Sequence, residues 1–161
     1  MSTQSESNLK PEVLENLRRL FPEGVIFFDL ETTGLSPLFN QIVEFAGVKI
    51  TSTNVETFST LIKPIDRIPE KVIKIHGISN ELVANEKSEK EIAPMIFDFL
   101  KNYPLVAHNS RFDVGFILMM FHRHQITVEA NEIYCSCYLS RKLNKGAQSH
   151  RLSELSKQFE V

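Results

Sequence analysis

Four apolar residues, Val25 to Phe28, run straight into Asp29-Leu30-Glu31-Thr32-Thr33-Gly34-Leu35. The apolar run reads as a buried strand. Strand side chains alternate, so Asp29 and Glu31 leave that strand on the same side. Two carboxylates held side by side at the edge of a core repel each other. A hard divalent cation relieves the repulsion, and oxygen ligands suit Mg²⁺ or Mn²⁺. A solvated acidic strand end would carry the same pair. The Thr32-Thr33-Gly34-Leu35 that follows adds backbone donors, hydroxyls and an apolar side chain next to the acids.

The rest of the chain alternates helix and strand patterns. Pro11 to Phe21 places Leu14, Leu17 and Leu20 at helical spacing, with Pro11 suited to a helix start. Strands are expected over Val25 to Glu31, Gln41 to Thr51 and Val55 to Lys63. The turn Thr51-Ser52-Thr53-Asn54 makes the last two a hairpin. Ile68 to Ile75 reads as a short helix ended by Gly77, and Ser79 opens another helical turn. Ser88 to Asn102 carries Ile92, Met95, Ile96, Phe99 and Leu100 on one helical face. Leu105 to Asn109 reads as a short buried strand, after which Ser110 caps a helix to about His124. Glu132 to Asn144 is helical after an extended entry, and Ser149 to Phe159 is a last helix. Met1 to Asn8 reads as disordered. A meander followed by alternating helix and strand predicts an α/β domain with a mixed sheet.

Composition narrows the partners. The 161 residues fit one domain with a sizeable core, and 18 basic against 20 acidic residues leave a net charge of −2. The strongly basic balance of a protein gripping long duplexes is absent, while a short or metal-mediated nucleic-acid contact remains open. No segment has the apolar length of a transmembrane helix, and the polar start is no signal peptide. Cys135 and Cys137 match neither a zinc pair nor a redox motif, and read as reduced thiols of a cytoplasmic protein.

A second acidic block, His108-Asn109-Ser110-Arg111-Phe112-Asp113, sits where a core strand becomes a helix. Asp113 falls in the first helical turn, where the dipole stabilises an anion, so it serves either stability alone or a site. With Asp29 and Glu31 it would gather three carboxylates around two metals.

Three blocks in this order resemble the DnaQ-like (DEDD) 3′–5′ exonuclease superfamily, whose members include the epsilon proofreading subunit of DNA polymerase III. They are Phe28 to Leu35, Ile75-His76-Gly77-Ile78-Ser79 and His108 to Asp113. The similarity runs over about Val25 to Val161, leaving an N-terminal helical extension over residues 1–22 before a domain over residues 23–161. The resemblance implies a ribonuclease H-like mixed sheet flanked by helices. It implies two Mg²⁺ or Mn²⁺ ions on Asp29, Glu31 and Asp113, with Asp29 bridging them. It implies a groove for the 3′ end of single-stranded DNA or RNA, with a nucleoside monophosphate as product and a DNA polymerase as partner. Thr32, Thr33, Gly34 and Leu35 would grip the terminal nucleotide, His76 and Phe112 would flank its unpaired bases, and Asn109 would border them. From the residues alone, Leu35 and Phe112 read equally as core, His76 as a cap of its own turn and Asn109 as a turn former.

The superfamily carries one more block, a His followed five residues later by an Asp, in which the His is the general base. His150 does not open it: five residues on stands Leu155, and Glu154 is one position short, about 100° round a helix. His150-Arg151-Leu152-Ser153-Glu154-Leu155 resembles the helix before that block, so the 161 residues are expected to lack it. Cys135-Ser136 stands where the family has Asp-Thr, and His122 and His124 read as surface cations at a helix end. A catalytically inactive nucleic-acid-binding module of the same fold is the competing reading, and an unrelated α/β protein with structural acids a third.

Overall fold

The computed structural model describes residues 9–159; the disorder expected for Met1 to Asn8 lies outside the described residues. Strand β1, Val25–Thr32, buries Ile26, Phe28, Leu30 and Thr32 on one side and sends Phe27, Asp29 and Glu31 to the other. It pairs antiparallel with β2, Ile42–Ile50, placing Asp29 opposite Ala46 and Glu31 opposite Glu44, with a bulge between Glu31 and Thr32. Bulges re-aim side chains and recur beside active sites. β2 continues through the expected hairpin into β3, Val55–Leu61; Thr51 and Asn54 exchange hydrogen bonds across the turn.

β4, Leu105–Ala107, then joins β1 in parallel on its other side, and β5, Ile133–Cys135, joins β4 in parallel. The sheet order is β3-β2-β1-β4-β5, the mixed sheet the sequence predicts. The extended entry before Ser136 turns out to be its fifth strand.

Seven helices flank it among the described residues. Helix α1, Pro11–Leu20, packs Leu14, Leu17 and the following Phe21 over Val25, Ile50 and Val106. Leu20, placed on the inner stripe by its spacing, is exposed instead, and Phe21 fills that role. Helices α2, Glu70–His76, and α3, Asn80–Val83, cover a small cluster of Val43, Ile68, Ile78 and Val83.

The main core lies between the even-numbered face of β1 and helices α4, Glu89–Leu100, and α5, Ser110–Arg123. Burying a side chain such as Phe45, Ile96 or Phe116 contributes about 1.5–3 kcal/mol. Met95, expected inside, is exposed. Ser110 is the first residue of α5 rather than its cap: Asn109 takes the cap position in a left-handed conformation (φ 73°). Helices α6, Ser136–Leu143, and α7, Leu152–Phe159, complete the described chain. No described helix is long and apolar enough to cross a membrane.

Candidate active site

Asp29 and Glu31 leave β1 on the side away from the main core, as the alternation requires. Asp113 stands in the first turn of α5, 3 % exposed. The three carboxyls feel one another. Burial pushes Asp113 up to about 7, the charge of Asp29 adds to it and Glu31 adds further, against the opposing amides of Asp113 and Leu30. Burial also raises Asp29, although its residue surface stays open to solvent, with the Leu30 amide and His108 opposing. Glu31 is raised by burial, relieved by His76 and pushed up again by Asp29 and Glu44. All three shifts share a sign, and burial is the largest cause of each, with like charge adding to it at Asp113 and Glu31.

An all-oxygen, mutually repelling donor set fits a hard divalent cation in its chemistry. Among the described residues no three acidic, histidine or cysteine side chains already form a ligand cluster, so any coordination shell would be completed by other oxygens. Substrate phosphates are the usual source for Mg²⁺.

The turn after β1 is braced from within. Thr32 and Thr33 are buried; the Thr32 hydroxyl donates to the Gly34 carbonyl, and the Thr33 hydroxyl accepts from the Gln41 amide. These hydroxyls shape the turn rather than reach outward. Asn40 lies against Gly34: a Cβ there would meet the Asn40 amide group at 2.6 Å and displace it from the bond it accepts from the Ser36 amide. Leu35 is 85 % exposed, which removes the reading of it as core, and Leu38 and Phe39 on the same loop are exposed too.

His76 ends α2. The Ile78 amide donates to its Nδ1, so it does cap its turn, and Nδ1 is the lone-pair nitrogen while Nε2 carries the hydrogen. That Nε2 is the one buried side-chain polar atom without a partner among the described residues. Phe112 is half-buried and packs on Phe116, its ring centroid 4.9 Å away, so it belongs partly to the core. Asn109 is exposed in its left-handed turn.

Three features escaped sequence reasoning. His108 acts on Asp29 and is itself held at both ring nitrogens, Nδ1 by Ser136 and Nε2 by the His150 carbonyl. His150 in turn places Nδ1 against Ser140. Cys135 caps α6 by accepting from the Tyr138 amide; burial raises its thiol pKa, and that bond with others from Ser110 and Asn109 outweighs burial and lowers it. His124 is no free surface cation: its Nε2 contacts buried Glu89, which also takes two bonds from Arg123. The signal for Glu89 was its place on the same helical stripe as Ile92 and Ile96.

An open, mostly apolar groove of about 590 Å³ runs from Phe27 and Asp29 over Ala46 and Val48 to His108, Ser136 and Leu152. A larger one of about 1060 Å³, between Phe21 and Tyr134, holds none of the three acids.

The exonuclease family model (RNase T) matches residues 26–161. The DNA polymerase III PolC-type protein of Caldanaerobacter subterraneus subsp. tengcongensis is 36% identical over 137 residues, 84% of this chain and 10% of that protein. The 3′-5′ exonuclease DinG of Bacillus subtilis is 33% identical over 138 residues, 84% of this chain and 15% of that protein. The chain thus spans about a tenth of the length of the PolC-type relatives. Among solved structures, exonuclease X in complex with 5′-overhanging duplex DNA superposes with a TM-score of 0.65 at 25% identity, over 85% of this chain and 74% of that one. Escherichia coli exonuclease I in complex with a dT13 oligonucleotide gives 0.74 at 21% identity, over 84% of this chain and 35% of that one, a likeness of fold. The five-stranded mixed sheet with its flanking helices is therefore ribonuclease H-like. By sequence, fold and the order of its motifs, the chain belongs to the exonuclease family within the DnaQ-like 3′–5′ exonuclease superfamily.

Proposed function

We propose that the chain binds the 3′ end of single-stranded DNA at Asp29, Glu31 and Asp113 and takes part in hydrolysing its last phosphodiester, releasing a nucleoside 5′-monophosphate. The observation that carries this is the placing of Asp29 and Glu31 side by side at the end of β1 with Asp113 buried in the first turn of α5, in a chain that the exonuclease family model matches over residues 26–161. Two Mg²⁺ or Mn²⁺ ions are the fitting cofactor; when bound, such ions supply an activated water and neutralise the leaving oxygen. Asp29, Glu31 and Asp113 would hold them. Thr32 to Leu35 form the braced turn against which the terminal sugar and base rest, and Leu35 offers the apolar contact. The Nε2–H of His76 donates to a sugar or phosphate oxygen, which gives that buried donor its missing partner. Phe112 and Asn109 border the bases. The DNA polymerase III relatives support DNA as substrate, a cytoplasmic setting and a proofreading or repair role beside a polymerase.

No histidine of this site is a free general base in the proposed scheme. Nδ1 of His76 is occupied by Ile78, and His108 is held at both nitrogens. In this reading the general base and the fourth acid are not among the residues of this site, and the 161 residues turn over slowly on their own. The same observation favours a second reading, an inactive nucleic-acid-binding module.

End-labelled single-stranded DNA with Mn²⁺ tests both readings. The account expects a weak 3′–5′ ladder lost in Asp29→Ala, and faster degradation by about 10²–10⁴ when a longer chain supplies a His-x-x-x-x-Asp. Binding without hydrolysis in that longer chain would establish the module. Robust degradation by the 161 residues, lost in His150→Ala, would relocate the general base.

A further inference from the structure

Arg123 closes α5 far from the acids, yet its guanidinium reaches three places. Its Nε and Nη2 hold the two oxygens of Glu89 at 2.9 and 2.8 Å, and its Nη1 donates to the Pro37 carbonyl at 3.1 Å. Glu89 is 4 % exposed at the start of α4, and His124 Nε2 meets the same carboxylate at 2.9 Å. If the cluster served only to join α4 to α5, the Glu89 fork and His124 would be enough. The bond to Pro37 does something else: it fastens the loop that follows Leu35.

That loop is pinned on every side except its tip. The Pro37 ring lies over Gly115, where an added Cβ would stand 3.7 Å from it, two residues beyond Asp113. The Asn40 side chain accepts from the Ser36 amide, and the Phe39 and Asn40 amides return to the Ser36 carbonyl. Leu35, Leu38 and Phe39 are nevertheless 85 %, 66 % and 83 % exposed. Three large apolar side chains held outward on a braced loop form a ready surface rather than one that must order on binding, so less conformational entropy is lost when a ligand arrives.

We infer that Arg123 is a positioning residue: held by Glu89, it fixes the Leu35–Phe39 loop against α5 and so presets an apolar platform for the nucleotides of the 3′ end. This rests on the proposed nucleotide site and extends its platform past Leu35 to Leu38 and Phe39. A lysine at position 123 still neutralises buried Glu89, but its single ammonium lacks the fork that spans the carboxylate and Pro37 together.

The test measures thymidine 5′-monophosphate and oligothymidylate affinity, with Mn²⁺, in the parent, Arg123→Lys and His124→Gln. Because the chain has no tryptophan, Phe39→Trp provides a loop reporter in each background. Arg123→Lys should weaken oligothymidylate binding about tenfold, the worth of one charge-assisted hydrogen bond, and raise the mobility of the reporter indole, with Mn²⁺ affinity unchanged. His124→Gln should lower the melting temperature but leave nucleotide affinity within about twofold, since Arg123 still holds Pro37. If Arg123→Lys does not fold, the charge-matched double variant Glu89→Gln/Arg123→Gln must show the same weakening. Parent-like affinity and a parent-like reporter in whichever variant folds would overturn the inference. A parent chain that binds no nucleotide would instead remove the site reading on which it rests.

Discussion

Asp29 and Asp113, far apart in sequence, share one donor: the backbone amide of Leu30 favours the ionised form of both carboxyls. Leu30 buries its side chain in the main core between the two acids of β1, so core packing sets where that amide points. One N–H does not offset the burial and mutual repulsion of the group. The raised carboxyls have consequences that can be measured without any substrate.

The first concerns stability against pH in the metal-free protein. Asp113 holds its proton more tightly folded than unfolded, since its pKa rises from 3.8 to about 7. Stability should therefore fall as pH climbs through that window, where the unfolded carboxyl has ionised and the folded one has not, and level off above it. Asp29 and Glu31 are raised as well and add in the same direction. Asp113→Asn should flatten the profile and melt several degrees higher at pH 8, since each kcal/mol is worth about 2–4 °C in a domain of this size. Thermal melts from pH 4 to 8 check this; an Asp113→Asn variant no more stable than the parent at pH 8 would refute it. Mn²⁺ should raise the parent's melting temperature and leave the variant's nearly unmoved.

Leu35 makes a cleaner probe of binding than any buried residue. At 85 % exposure its truncation should shift stability by no more than about 0.5 kcal/mol. Oligonucleotide affinity should nonetheless fall by about fivefold or more, given that covering an exposed leucine side chain contributes about 1.5–3 kcal/mol. Equal affinity of parent and Leu35→Ala in fluorescence anisotropy would show that the loop does not meet the bases.

His76 separates a donor from a flat ring. His76→Phe keeps a planar side chain but removes both the Nε2–H that has no partner and the Nδ1 that accepts from the Ile78 amide, so affinity is compared at a temperature where the variant is shown to be folded. Monophosphate affinity should drop about tenfold, the range of a hydrogen bond to a charged group. Were the ring only a stacking surface, the Phe variant would bind as tightly or more tightly.

Salt dependence reports how many phosphates are gripped. With a net charge of −2, and if the proposed site grips about two to four nucleotides, single-strand affinity should fall with a log–log slope of about −1 to −3. A steep slope with tight duplex binding, indifferent to Phe112→Ala, would point to a different surface.

Much of this was legible in the sequence because periodicity is enforced by burial. The alternation in Val25 to Thr32 fixes which side chains face the core, and hence that Asp29 and Glu31 emerge together. The hairpin after Thr51 was readable from its turn, and Asp113 from its place where strand becomes helix. Where several side chains compete for one position, the pattern was silent. Leu20 and Phe21 both suited the inner side of α1, and packing chose Phe21. Ser110 looked like a cap, yet the chain turns at Asn109, whose short amide tolerates a left-handed backbone. Contacts between distant segments were beyond reach. Nothing local announces that Arg123 reaches Pro37, that His108 is locked between Ser136 and His150, or that the buried Nε2 of His76 lacks a partner.

Titration calorimetry of Mn²⁺ into the parent chain and into Asp29→Ala, with and without thymidine 5′-monophosphate, tests the central claim most directly. The account predicts Mn²⁺ binding by the parent that the nucleotide strengthens, and none by Asp29→Ala in a protein that still melts cooperatively. Mn²⁺ binding by Asp29→Ala equal to that of the parent would contradict the assignment of Asp29, Glu31 and Asp113 as a cation-dependent site for the 3′ end.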